Sequence, residues 1–106
     1  MQKRVAHIAL SAAVVAVSTL TVPVQAQDLN KIRYLAANCA NCHGTDGKSV
    51  GVMESLAGYD KEKFITNMKE FRNGDKPATL MHQIVKGYSE QQIADLAAYF
   101  SVQKKK

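Results

Sequence analysis

Cys39-Ala40-Asn41-Cys42-His43 is the stretch around which the rest of the chain arranges itself. It is a C-x-x-C-H run, the signature of covalent haem attachment. Two thiols spaced in this way lie on one turn of a helix and can add to the two vinyl groups on one edge of a porphyrin. The imidazole that follows then lies under the iron as its proximal ligand. Three other chemistries use the same residue types. A Cys39–Cys42 disulfide is allowed in an oxidising compartment, but it closes a very short loop and gains little loop entropy. A thioredoxin-like redox pair sits beside a βαβ pattern, and the chain has no alternating strand pattern to supply one. Zinc bound by Cys39, Cys42, His43 and His82 would need adjacent residues as two of its ligands, unlike the usual spacing of paired zinc ligands. The pattern favours haem, and the motif occurs once, so one haem per chain is expected.

Upstream, Met1-Gln2-Lys3-Arg4 is a short cationic start, and an apolar run from Val5 to Val22 follows it, interrupted by His7 and a few Ser and Thr. Val24-Gln25-Ala26 then offers small residues where a signal peptidase reads, with Gln27 as the new N-terminus. An uncleaved anchor is the alternative. The run from Val5 to Val22 is at the lower edge of spanning length, where about 20 strongly apolar residues are usual. Residues 1–26 therefore read as a signal peptide and 27–106 as a single haem domain. The mature chain is expected in the periplasm, without stable membrane insertion.

Composition supports this division. The chain has 106 residues with 14 Lys and Arg against 9 Asp and Glu, a net charge of +5. The first 26 residues contain no acid and 16 of the 49 apolar residues. The remaining 80 carry +3 and only 25 apolar side chains larger than Ala. Domains of about this size and below usually need a disulfide, a metal or a cofactor to hold together. A membrane-embedded protein, a disordered tail and a multidomain enzyme are excluded. Nucleic-acid binding has no support, because the basic residues are scattered and most aromatics fall on apolar helical faces.

The mature chain reads as all-α. Asp28 can cap a first helix with Ile32, Leu35, Ala36 and Cys39 on one face. Gly44, Gly47 and Gly51 break the pattern, so 44–59 reads as loop with one short turn. Asp60 can cap a second helix with the face Phe64, Ile65, Met68 and Phe71, which Asn73-Gly74 ends and Pro77 keeps from resuming. A short segment over about 79–86 stops at Gly87. Ser89 and Gln92 form a capping box before the stripe Ile93, Leu96, Ala97 and Phe100, with the helix running to about Gln103. Tyr34, Leu35, Leu56, Phe64, Met68, Phe71, Ile84, Leu96 and Phe100 are candidates for a haem pocket, and each is equally a core residue.

A low-spin iron needs a sixth ligand, and a thioether there raises its potential. Met53 lies only ten residues past His43, too close to cross easily to the other haem face. Met68 falls on the stripe with Phe64 and Phe71 and reads as core. Met81 is 38 residues past His43 and follows the breaker Pro77, so it can arrive on an extended approach. Met81 is the expected distal ligand and His82 its main rival.

These residues resemble class I cytochromes c. The matching features are Cys39 to Gly44, Ser55-Leu56-Ala57-Gly58, Met81, Lys86-Gly87-Tyr88-Ser89 and the helix Ile93 to Phe100. The likeness covers about residues 28–103, and Phe71 to Met81 is similar to the haem domains of flavocytochrome c sulfide dehydrogenase cytochrome subunits. The resemblance implies a small all-α fold of three to five helices around one haem c (heme), with the first and last helices crossing. It implies thioethers at Cys39 and Cys42, with His43 and Met81 as the iron ligands. It also implies a periplasmic one-electron carrier rather than an enzyme, or a haem subunit of a sulfide-oxidising flavoprotein complex. A haem peroxidase or gas sensor is disfavoured, since it would need an open sixth position. Redox proteins are the expected partners, including a flavoprotein sulfide dehydrogenase or a terminal oxidase. Lys48, Lys61, Lys63, Lys69, Arg72, Lys76 and Lys86 are candidates for a cationic rim that steers an acidic partner. Two departures stand out: many relatives have two such domains, and Glu54 stands where many have Pro. That loop usually gives a backbone carbonyl to the proximal imidazole.

Overall fold

Ser89 and Gln92 start the last helix, against which the two other long helices pack. The Ser89 hydroxyl accepts from the Gln92 amide at 3.1 Å, and the Gln92 side chain accepts from the Ser89 amide at 2.9 Å. The expected capping box is therefore formed in full, satisfying two amides that would otherwise lack partners. The computed structural model describes residues 29–105; the expected signal peptide and the Asp28 cap lie outside the described residues. Four α-helices follow in order: α1 Leu29–His43, α2 Lys61–Asn73, α3 Met81–Ile84 and α4 Glu90–Ser101. Short 3-10 turns occupy Thr45–Gly47 and Val85–Gly87, and no strand occurs among the described residues. The fold is the all-α one that the periodicity predicts.

On α4, Ile93, Leu96, Ala97 and Phe100 are all buried, as their spacing predicts. They pack against Ala36 of α1 and against Phe64 and Met68 of α2. The Phe64 and Phe100 rings lie 5.8 Å apart, and Tyr99 meets Phe100 edge-on at 5.2 Å. Val85, a residue that no periodic stripe marks, is fully buried in the same core. The helix ends at Ser101, short of Gln103, and the freed Phe100 carbonyl accepts from the amides of Gly58 and Gln103 at 2.8 and 3.2 Å.

On α2, the Asp60 carboxylate accepts from the Lys63 amide at 2.8 Å. Gly74 closes the helix in the left-handed region at φ 82°, as the Asn73-Gly74 signal predicts. Gly47 has a different reason to be glycine. Its φ is +76°, and a Cβ there would come within 2.8–2.9 Å of Ala57, Leu56 and the Phe100 ring. Its carbonyl accepts from both the Leu56 and Ala57 amides, at 2.8 and 3.0 Å. The loop after α1 is thus folded back on itself and pressed onto the end of α4.

Two substitutions separate backbone from packing effects. Gly47→Ala is expected to cost upwards of about 1 kcal/mol. Gly51→Ala, where a Cβ meets nothing within 4 Å, should leave stability near that of the parent. Leu96→Ala should cost about 2–5 kcal/mol. Urea unfolding midpoints of the haem-loaded proteins measure all three.

Candidate functional site

The last turn of α1 carries the C-x-x-C-H residues. Cys39 is half-buried and packs on the core, and burial pushes its thiol pKa up; Cys42 is exposed one turn on. His43 ends the helix. Its Nδ1 stands 2.5 Å from the main-chain oxygen of Glu54. A carbonyl can only accept, so Nδ1 carries the proton and Nε2 presents a lone pair. This hydrogen bond fixes the ring orientation and raises its basicity as a ligand. The replacement of Pro by Glu54 does not remove the acceptor, because the acceptor is backbone. The Gly47 carbonyl, by holding Leu56 and Ala57, fixes the turn that presents it.

One cleft collects the candidate residues. Cys39, Cys42 and His43 line it from α1, while residues 77–81 and Ile84 line it from the segment around α3. Its floor is apolar, made by Leu56, Phe64, Met68 and Phe71. Met81 lines the cleft and His82 does not. Met81 does not arrive on a fully extended strand: residues 77–80 are irregular, and Met81 is the first residue of the one-turn helix α3. Met68 is buried in the floor, as expected of a core residue, and Met53 stands at the lip.

The structure also departs from the sequence expectations. Tyr34 is 77% exposed and takes no part in the pocket. Leu96 and Phe100 belong to the core behind the cleft rather than to its lining. Tyr59 and Asn67 line the cleft without having been expected there. The Tyr59 hydroxyl accepts from Asn67 Nδ2 at 2.9 Å, and Asn67 Oδ1 accepts from Lys76 Nζ at 2.7 Å. Neither residue lies on an apolar stripe, so periodicity could not mark them. Four residues of the expected cationic rim are engaged within the chain. Lys63 lies over the Tyr59 ring and Lys76 over the Phe71 ring; Lys69 and Arg72 pair with Glu90. Among the described residues, no group of three or more His, Cys, Asp and Glu converges as a metal site, so the zinc set is not assembled.

The cleft fits a flat, largely apolar macrocycle. Two thiols and a free imidazole nitrogen stand at its α1 wall, a thioether is among its other lining groups, and Tyr59 and Asn67 add polar groups to the lining.

A helical fold of this kind, with a C-x-x-C-H imidazole at the end of its first helix, is that of a haem-bearing electron-transfer protein. The cytochrome c family model matches residues 31–102, and the chain belongs to that family, whose members carry covalently bound haem c and its iron. It is 40% identical over 72 residues to the cytochrome subunit of sulfide dehydrogenase from Chlorobaculum tepidum, covering 68% of this chain and 66% of that protein. It is 36% identical over 70 residues to cytochrome c4 from Pseudomonas aeruginosa, covering 65% of this chain and 35% of that one. A solved cytochrome c4 from Acidithiobacillus ferrooxidans superposes with a TM-score of 0.63 at 33% identity, over 69% of this chain and 48% of the other. The chain therefore spans only part of the length of these relatives.

Because the acceptor at position 54 is a main-chain oxygen, Glu54→Ala should keep the His43 hydrogen bond. The expected observation is a slowly exchanging imidazole Nδ1 proton in the NMR spectra of both the reduced parent and the variant. Its loss in Glu54→Ala would mean that the carboxylate side chain, rather than the backbone turn, holds the ring.

Proposed function

We propose that this protein is a periplasmic one-electron carrier with a single haem c, attached through Cys39 and Cys42 and ligated by His43 and Met81. The observation that carries this reading is the cleft lined by both thiols, an imidazole with its Nε2 free, and a thioether from a distant segment. Bound haem supplies exchange of one electron between Fe(III) and Fe(II). Every other task falls to the chain. Cys39 and Cys42 hold the group covalently, so an exported protein does not lose it by dilution. Glu54, through its carbonyl, sets the proton on Nδ1 of His43 and leaves Nε2 to bind metal. Met81 would hold the iron from the other wall, and with its thioether bound the metal would offer no site to peroxide or a gas. Leu56, Phe64, Met68 and Phe71 keep water from the buried face and lower the local dielectric. Electron transfer through the cleft mouth then needs no bound substrate and little rearrangement.

Export rests on the cationic, apolar and small-residue pattern of residues 1–26. Among the described residues, no helix is long and apolar enough to cross a membrane. A second reading is that the protein is a haem subunit of a flavoprotein sulfide dehydrogenase. The 40% identity to the Chlorobaculum tepidum subunit favours it. In that case the same site relays electrons inside a complex instead of between free partners, which include a terminal oxidase in the first reading.

The test of the ligand set is the absorption spectrum of the protein matured in a periplasm. Sharp reduced α and β bands and a weak ferric band at about 695 nm are expected of His–Met ligation. Met81→Ala should lose that band and bind carbon monoxide when reduced, while His82→Ala should keep it. A high-spin parent that binds carbon monoxide at once would overturn the carrier reading. Co-purification with a flavoprotein, and reduction by sulfide only in its presence, would decide for the second reading.

A further inference from the structure

Arg72 stands in the last turn of α2 with its side chain only 27% exposed. Its Nη2 donates to the carbonyls of Val85 and Tyr88, at 3.3 and 2.5 Å, and its Nη1 donates to the Glu90 carboxylate. All three acceptors lie immediately downstream of α3. That helix is a single turn of four residues, and no side chain caps it at Leu80. A helix so short has no stability of its own, so its placement comes from its ends.

The chain is tied to α2 on either side of this helix, at residues 75–76 upstream and directly at its downstream end. Upstream, the Asp75 and Lys76 amides turn back to the Glu70 carbonyl at 2.9 and 3.3 Å, and Lys76 Nζ reaches Asn67. Downstream, Val85 is fully buried and Arg72 grips its carbonyl together with that of Tyr88. Between these anchors stand Met81 and His82, a thioether and an imidazole, each a competent ligand for haem iron. Neighbouring residues on a helix point about 100° apart. The choice between these two ligands is therefore the rotation of α3 about its own axis. As the segment is held, Met81 lines the cleft and His82 does not.

We propose that Arg72 is a positioning residue that fixes the rotation of α3 and thereby selects Met81 over His82 as the distal ligand. This rests on the Met81 ligation of the proposed function. A planar guanidinium donating to two carbonyls and a carboxylate resists twisting of the segment that carries them, whereas an ammonium at the same place is a single point of attachment. The Glu90 carboxylate, at the start of α4, keeps the guanidinium oriented toward both carbonyls.

The experiment uses the haem-loaded full chain with Arg72→Met and Arg72→Lys, each made alone and together with His82→Ala. Two quantities are read, the ferric band at about 695 nm and the reduction potential. Arg72→Met should lose more than half of the band and shift the potential downward, as an imidazole replaces the thioether. Adding His82→Ala should return most of the band and the potential, since Met81 then has no rival. Arg72→Lys should fall between parent and Arg72→Met. Full retention of the band in Arg72→Met overturns the proposal, as does an equal loss with and without His82, which would mark a purely structural role. If Arg72→Met yields no haem protein, Glu90→Gln loosens the guanidinium without removing it. It should then show a smaller, His82-dependent loss, and an undiminished band there counts against the proposal. A parent without the band would remove the ligand reading itself, which keeps that failure distinct from a failure of Arg72.

Discussion

Phe100 acts on two parts of the molecule at once. Its ring packs against Phe64 and closes over Gly47, while its carbonyl holds the Gly58 amide at 2.8 Å. The ring belongs to the helical core and the carbonyl to the loop between α1 and α2. That loop carries Glu54, whose own carbonyl orients His43. The His43 imidazole is therefore set by a path of backbone contacts that begins at the end of the last helix. Loosening Phe100 loosens the core and the placement of His43 together. The aromatic ring at this position consequently has two reasons to be large, one energetic and one geometric.

The same economy appears on the floor of the cleft. Phe64 and Met68 are buried core residues and also face the space between α1 and the α3 segment. A small fold with few large apolar side chains cannot build a closed core and a separate pocket. It builds one apolar surface and leaves part of it open to the cleft. Filling that opening with a planar apolar group completes the burial that the chain leaves unfinished. Function and stability in this fold therefore draw on the same side chains.

Much of this was legible in the sequence. The capping box at Ser89, the Asp60 cap and the Gly74 stop each depend on a few neighbouring residues, and local rules describe them well. The stripe on α4 is periodic and buried as its spacing predicts. Cys39, Cys42, His43 and Met81, which the structure brings together along one cleft, were picked out by residue type and distance along the chain. Val85, Tyr59 and Asn67 were not, because their positions depend on tertiary packing that no local period encodes. Arg72 shows the limit most clearly. Its charge suggested a solvent-facing rim, yet the folded chain turns the guanidinium onto two main-chain carbonyls and Glu90. A charged residue beside the end of a helix gives no local sign of whether water or backbone will satisfy it.

The cleft is assembled from segments at unequal distances along the chain. The contact between His43 and Glu54 closes a loop of 11 residues, whereas His43 and Met81 are 38 residues apart. Closing the longer loop costs more chain entropy, and the α3 segment rests on α2. The shorter loop is the cheaper to close, so the His43–Glu54 contact is favoured ahead of the approach of the segment bearing Met81. The cleft is thus complete only once the α3 segment has docked on α2.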